Sequence, residues 1–220
     1  MLYVVSEKNA DFATDFRYFT QVKKECPDFR LVSIQKDYTI FDYLNERGYK
    51  TIAIEEDFMT AGLYKEFEKN VPSARFVDGS KILNEIRMIK SEEEQELFKE
   101  GCRITDEIMM NVINSIKAGM TEKELNAMIL KEMIDRGAET YYFMPIVASG
   151  ARSAMPHGRP TDKVIEQGDF VIIDMGIIYK GYFSDMTRTI VIGKATEKQK
   201  ERYNTVLKAQ LKATELIMPE

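Results

Sequence analysis

The chain has 220 residues, 44% hydrophobic and 30% charged, with a formal net charge of −5. This is the composition of an ordinary globular protein, and its dispersed lysines and arginines leave no nucleic-acid footprint. No apolar stretch approaches the roughly 20 residues of a membrane span, and one histidine with two distant cysteines rules out a His/Cys metal cluster.

In chain order, LYVVS and DFATD read as a strand pair around the polar SEKN, and FRYFTQVKKEC as a helix. FRLVSIQ is a strand, TIFDYLNERG a helix closed by Gly48, and KTIAIEE a strand. AGLYKEFEKN is a short helix and ARFVDG a strand. The alternation predicts an α/β layer with parallel pairing. The pattern changes near Gly79, and a domain boundary is placed between residues 80 and 90. From Ser91 one face repeats at Leu97, Gly101, Ile104, Ile108, Val112 and Ile116, a long amphipathic helix. Ser91 and Glu94 form its capping box and Gly119 its stop. Thr121 and Glu124 cap a second helix, closed by Gly137. The apolar YYFMPIVAS, a loop and a hairpin follow, then a third helix that begins at Thr196, capped with Gln199, and runs to about Ile217. The first residues turn polar too early for a signal peptide, and two reduced thiols, Cys26 and Cys102, suit a cytoplasmic protein.

The hairpin carries two acids in apolar surroundings, FVIID ending at Asp174 and SDMTRT containing Asp185. Phe170 and Ile172 share the face of Asp174, while Val171 and Ile173 take the other, so the strand is expected to be buried on both faces. A two-residue turn at Tyr179 and Lys180 would set Asp185 directly opposite Asp174, and a bulge at Gly181 would displace it. Facing carboxylates repel unless something intervenes. Three solutions are open: a shared proton, an ion pair or solvated position, or one or two divalent cations. Arg188 is the nearest cation for an ion pair, although it belongs to the opposite strand face. His157 sits in the stiff loop SAMPHGRPTD, where proline and glycine suit a residue held over a site.

The run IVASGARSAMPHGRPTDKVIEQGDFVIIDMGIIYKGYFSDMTRT closely resembles the pita-bread metallopeptidases, in the branch that cleaves Xaa-Pro bonds. The VASG segment, the PHGRPTD loop, the GD before the strand and the IDMG and SDMTRT pair together carry the resemblance. ILNEIRMIKSEEEQELFKEG is similar to the family's domain junction, and TDFRYFTQVKKE to part of its N-terminal domain. The resemblance implies a partial creatinase/prolidase-like α/β N-terminal domain over residues 1–82. It implies the first half of an α+β pita-bread catalytic domain over 83–220. It also implies two divalent ions, manganese first, with cobalt or zinc as alternatives, held by two Asp, one His and two Glu. Asp174 and Asp185 match the two Asp ligands. His157 matches a histidine that stabilises the tetrahedral intermediate without binding metal. Thr187 is a candidate to hydrogen-bond a ligand, and Phe143, in the aromatic run from Tyr141, a candidate for the substrate pocket. The implied substrate is a peptide with proline at its second position, and the implied assembly a homodimer.

The chain departs from the family pattern in having no second histidine. SIKAGMTEKEL matches the opening of the first pseudo-symmetric half, and LIMPE at 216–220 resembles the opening phrase of the second. The sequence therefore reads as shortened at both ends, with two of the expected metal ligands. These residues alone are expected not to hydrolyse peptides. The alternative is a non-catalytic pita-bread module that binds peptides or proteins.

Overall fold

The computed structural model describes residues 2–217; the last three residues of LIMPE lie outside them. The chain divides into two compact units, Met1–Ile89 and Lys90–Glu220.

In the first unit, β1 (Leu2–Val5) and β2 (Ala10–Thr14) pair antiparallel, and β3 (Arg30–Ser33) pairs parallel to β2. A parallel pair needs a crossover, and α1 (Phe19–Glu25) lies within it. The helix α2 (Ile40–Arg47) starts at a Thr39–Asp42 capping box and stops where Gly48 takes φ 64°. A second parallel pair, β4 (Thr51–Ile54) and β5 (Arg75–Asp78), is bridged by α3 (Ala61–Asn70). The segment α4 (Ser80–Met88), for which the sequence suggested no element, is helical. Tyr43, Leu44, Phe67 and Val71 form the core. Beside it the carboxylate of Asp11 is fully buried. It accepts two 2.7 Å bonds from Arg30, one at 3.3 Å from Arg47, and one from the Tyr43 hydroxyl.

The second unit is built on α5 (Glu92–Ser115) and α6 (Glu122–Asp135), each opened by the capping box that the sequence predicts. Gly101, Ile104, Ile108 and Val112 are buried along the α5 stripe, and Leu97 and Ile116 are half-buried at its ends. The helix stops at Ser115, before Gly119, because Ile116 turns extended at ψ 138° and packs on the core. Gly119, at φ 95°, serves the following turn and donates its N–H to the Ile165 carbonyl at 2.9 Å.

The sheet is centred on β7 (Phe170–Tyr179). On one side runs β6 (Thr140–Ser149). On the other, the returning arm is split into β8 (Tyr182–Phe183) and β9 (Met186–Val191). Val171, Ile173, Met175 and Ile177 on one face of β7 are 0% exposed and pack into the core with Ile108, Val112, Leu125 and Ile129. Each such burial contributes about 2 kcal/mol. The opposite face, with Phe170, Ile172 and Asp174, is only half-buried. The expectation of burial on both faces is thus corrected: α5 and α6 close one face and leave the acid-bearing face open. The last helix, α7 (Glu197–Glu215), begins at a Thr196–Gln199 capping box and has no buried residue; Gln199 Nε2 donates to the Gly168 carbonyl at 2.7 Å. Among the described residues no helix is long and apolar enough to cross a membrane.

Candidate metal centre

The hairpin turns at Lys180 (φ 47°) and Gly181 (φ 81°), one residue later than expected. Two consecutive positive φ values give the twist that joins β7 to its returning arm, and Gly181 takes its share without strain. The later turn changes the register. Asp174 pairs with Thr187, not with Asp185, so the expected direct opposition of the two acids is corrected. The pairing slips by two residues, however, and an even slip keeps every side chain on its face. Asp185 therefore remains on the face of Asp174, diagonally across the ladder.

The break between β8 and β9 presents Asp185. Ser184 still donates its N–H to the Ile177 carbonyl at 3.0 Å, but its own carbonyl closes on Gly176. A Cβ at Gly176 would meet that oxygen at 2.3 Å and Phe143 Cε1 at 3.3 Å, so the close approach requires glycine. From the other side α5 holds the arm. Thr105 donates its hydroxyl to the Gly101 carbonyl at 2.9 Å, which leaves its oxygen to accept from the buried Ser184 hydroxyl. The Tyr182 hydroxyl donates to Glu94 Oε1 at 2.8 Å, and its ring packs edge-on against Phe98 at 5.1 Å. Three side chains on α5, Glu94, Phe98 and Thr105, thus fix the residues before Asp185.

Desolvation of the carboxyl raises the pKa of Asp185, and the negative charge of Asp174 raises it further. The two acids feel each other. Among the described residues no lysine or arginine forms an ion pair with either. Arg188, read as an ion-pair candidate, instead donates to the Thr187 carbonyl at 2.9 Å. Asp174 Oδ1 accepts a 2.7 Å bond from Thr187 Oγ1. This is a set of hard oxygen donors whose mutual repulsion a divalent cation would relieve, so the residues fit such an ion. Among the described residues no group of three or more His, Cys, Asp or Glu is placed to hold a metal.

Phe143, half-buried, faces Gly176 across the β6–β7 ladder and so lies on the acid-bearing face. Its neighbour Tyr142 stacks on Phe183 at 4.3 Å with planes 8° apart, and both rings are exposed. His157 is exposed in the loop after a 3-10 turn at Gly150–Ala154. Next to it, Gly158 packs so tightly that a Cβ would lie 3.2 Å from Ala148 Cβ. Ala148 pairs with Ile172, two residues before Asp174 and on the same face. The loop therefore crosses the acid-bearing face. Sequence reasoning did not single out Gly176, Ser184, Thr105 or Glu122. A glycine inside an apolar strand was the available signal for Gly176; nothing local marked the other three.

Residues 96–220 match metallopeptidase family M24, and residues 1–89 match the creatinase/prolidase N-terminal domain. An uncharacterised peptidase of Bacillus subtilis is 35% identical over 99% of this chain and 62% of its own length. An Xaa-Pro dipeptidase of Pyrococcus horikoshii is 42% identical over 78% of this chain and 49% of its own. The crystal structure of an X-Pro aminopeptidase from Thermotoga maritima superposes with a TM-score of 0.86 at 37% identity, covering 94% of this chain and 60% of that one. The chain thus spans less than two thirds of the length of these relatives. It has the fold of a creatinase/prolidase N-terminal domain followed by part of a pita-bread catalytic domain, and it belongs to metallopeptidase family M24.

Proposed function

We propose that this chain supplies part of a two-metal centre that hydrolyses the peptide bond preceding proline. The observation that carries the reading is the placement of Asp174 and Asp185 on one open face, mutually repelling, with no side-chain cation paired to either among the described residues. Asp174 and Asp185 would hold the ions, manganese before cobalt or zinc. Divalent cations in such a site supply a nucleophilic water at neutral pH and polarise the scissile carbonyl. Thr187 fixes one carboxylate oxygen of Asp174, which narrows the orientations open to that ligand. His157, carried over the acid-bearing face by its loop, would donate a hydrogen bond to the oxygen that becomes anionic during attack and so stabilise the tetrahedral intermediate. Phe143 lines the substrate side of the site. The amide nitrogen of proline has no N–H, so recognition rests on shape and apolar contact rather than on a backbone hydrogen bond.

The substrate is a peptide with proline second, the working assembly a homodimer, and the compartment cytoplasmic. Two carboxylates alone hold a divalent ion weakly, with water filling its remaining positions. These 220 residues by themselves are therefore expected to be inactive. The test uses the protein as its source cell makes it, with metal content measured and Ala-Pro and a proline-containing tripeptide as substrates. Near two metals per chain, with activity abolished in Asp174→Asn and Asp185→Asn, supports the reading. Near zero metal and no hydrolysis would replace it with a peptide-binding module.

A further inference from the structure

We propose that Glu122 is a positioning residue for His157: one buried carboxylate closes both ends of the loop that carries it. The inference rests on the role given to His157 above.

Glu122 is the first residue of α6, yet the cap of that helix does not use it. Thr121 and Glu124 complete the capping box between themselves. Glu122 is nevertheless 0% exposed, and a carboxylate so placed must be fully partnered. Its Oε1 accepts from the Ser149 N–H at 2.8 Å and the Ser149 hydroxyl at 3.0 Å. Its Oε2 accepts from the Thr161 N–H at 3.0 Å and the Thr161 hydroxyl at 2.7 Å. Arg152 Nε reaches both oxygens, at 3.3 and 3.1 Å, and supplies the countercharge. Burial acts to raise the carboxyl's pKa, but the donors from Thr161 and Ser149 outweigh it and keep the group ionised.

The three partners define the loop. Ser149 ends β6, Arg152 lies in the 3-10 turn, and Thr161 follows the PHGRP stretch, so His157 lies between the two points gripped by the same group. Arg152 extends the hold inward: its second guanidinium nitrogen donates to the Arg159 carbonyl at 2.8 Å, two residues from His157. Gly158 donates to the Met155 carbonyl at 3.2 Å and seats the loop against Ala148. A fully satisfied buried network of this kind is rigid. The exposed imidazole thus inherits its position from a carboxylate it does not touch.

The chain has one histidine, so the imidazole signals of His157 in a histidine-labelled NMR spectrum need no assignment strategy. Glu122→Gln replaces one acceptor oxygen by a donor, which must face N–H and O–H donors and so open the loop on one side. Thr161→Val is the milder variant, losing the hydroxyl bond to Glu122 and the acceptor of the Lys163 N–H while the Thr161 N–H bond to Glu122 stays, and decides the matter should Glu122→Gln fail to fold. Expected is a shift and broadening of the His157 imidazole and Gly158 amide signals, while amides around Ile108 and Val112 stay in place. His157 signals unchanged in folded variants would overturn the proposal. In the intact active protein, Thr161→Val should lower kcat about tenfold with KM little changed. The NMR outcome stands whether or not the protein hydrolyses peptides, so failure of the functional reading is distinguishable from failure of this one.

Discussion

Replacing Gly176 by alanine tests how Asp185 is presented. The added Cβ would lie 2.3 Å from the Ser184 carbonyl oxygen, far inside contact distance, and 3.3 Å from Phe143 Cε1. The Phe143 ring can swing aside. The carbonyl cannot, because the same residue is anchored through its N–H to Ile177 and through its hydroxyl to Thr105. Overpacking against a fixed group costs about 2 kcal/mol. For a unit of this size that corresponds to a fall in melting temperature of about 7 °C. The strain relaxes by pushing Ser184 away from β7, which carries Asp185 with it. Manganese affinity should therefore fall roughly tenfold or more, as when a partner that orients a ligand is lost. Thermal unfolding by circular dichroism reads the first effect and isothermal titration the second. A melting temperature within 1 °C of the parent and an unchanged manganese affinity would show that the break at Ser184 does not depend on this glycine.

Thr105→Val leaves the buried Ser184 hydroxyl without its acceptor and should destabilise by about 2 kcal/mol in urea unfolding. Adding Ser184→Ala should restore part of that loss, since removing both partners leaves nothing unsatisfied. Asp185→Asn should raise the stability of the metal-free chain at pH 7. The folded-state pKa of Asp185 is raised, so stability linked to its protonation is complete below its unfolded value near 3.8 and is lost as pH rises through the folded value. The advantage of the asparagine variant should accordingly appear at neutral pH and vanish by about pH 3, in melting curves taken with a chelator. Asp11→Asn should cost the first unit about 2 kcal/mol, because Arg30, Arg47 and Tyr43 all converge on that one carboxylate. Amide hydrogen exchange along β2 would register it.

Much of this architecture was legible because local signals agreed with one another. The four capping boxes at Thr39, Ser91, Thr121 and Thr196 join side chains three residues apart, so sequence alone shows the pair, and three of them were read in advance. The α5 stripe was legible for the same reason: its period is a property of the helix itself. The helix stop was misplaced at Gly119 because its true cause, Ile116 turning into the core, is a tertiary contact. The hairpin register failed similarly. Tyr179–Lys180 and Lys180–Gly181 are both available as turn centres, and the positive φ values chose the pair that contains glycine. The shared face of the acids survived only because the slip was even. Glu122 was invisible as more than a first-turn acid, since its partners lie 27 to 39 residues away.

The central claim is that Asp174 and Asp185 together hold a divalent cation, and manganese titration followed by NMR tests it most directly. Paramagnetic broadening should begin at the amides of Asp174, Asp185 and Thr187, saturate, and disappear in both Asp174→Asn and Asp185→Asn. Broadening that starts elsewhere, or that survives in either variant, would contradict the account.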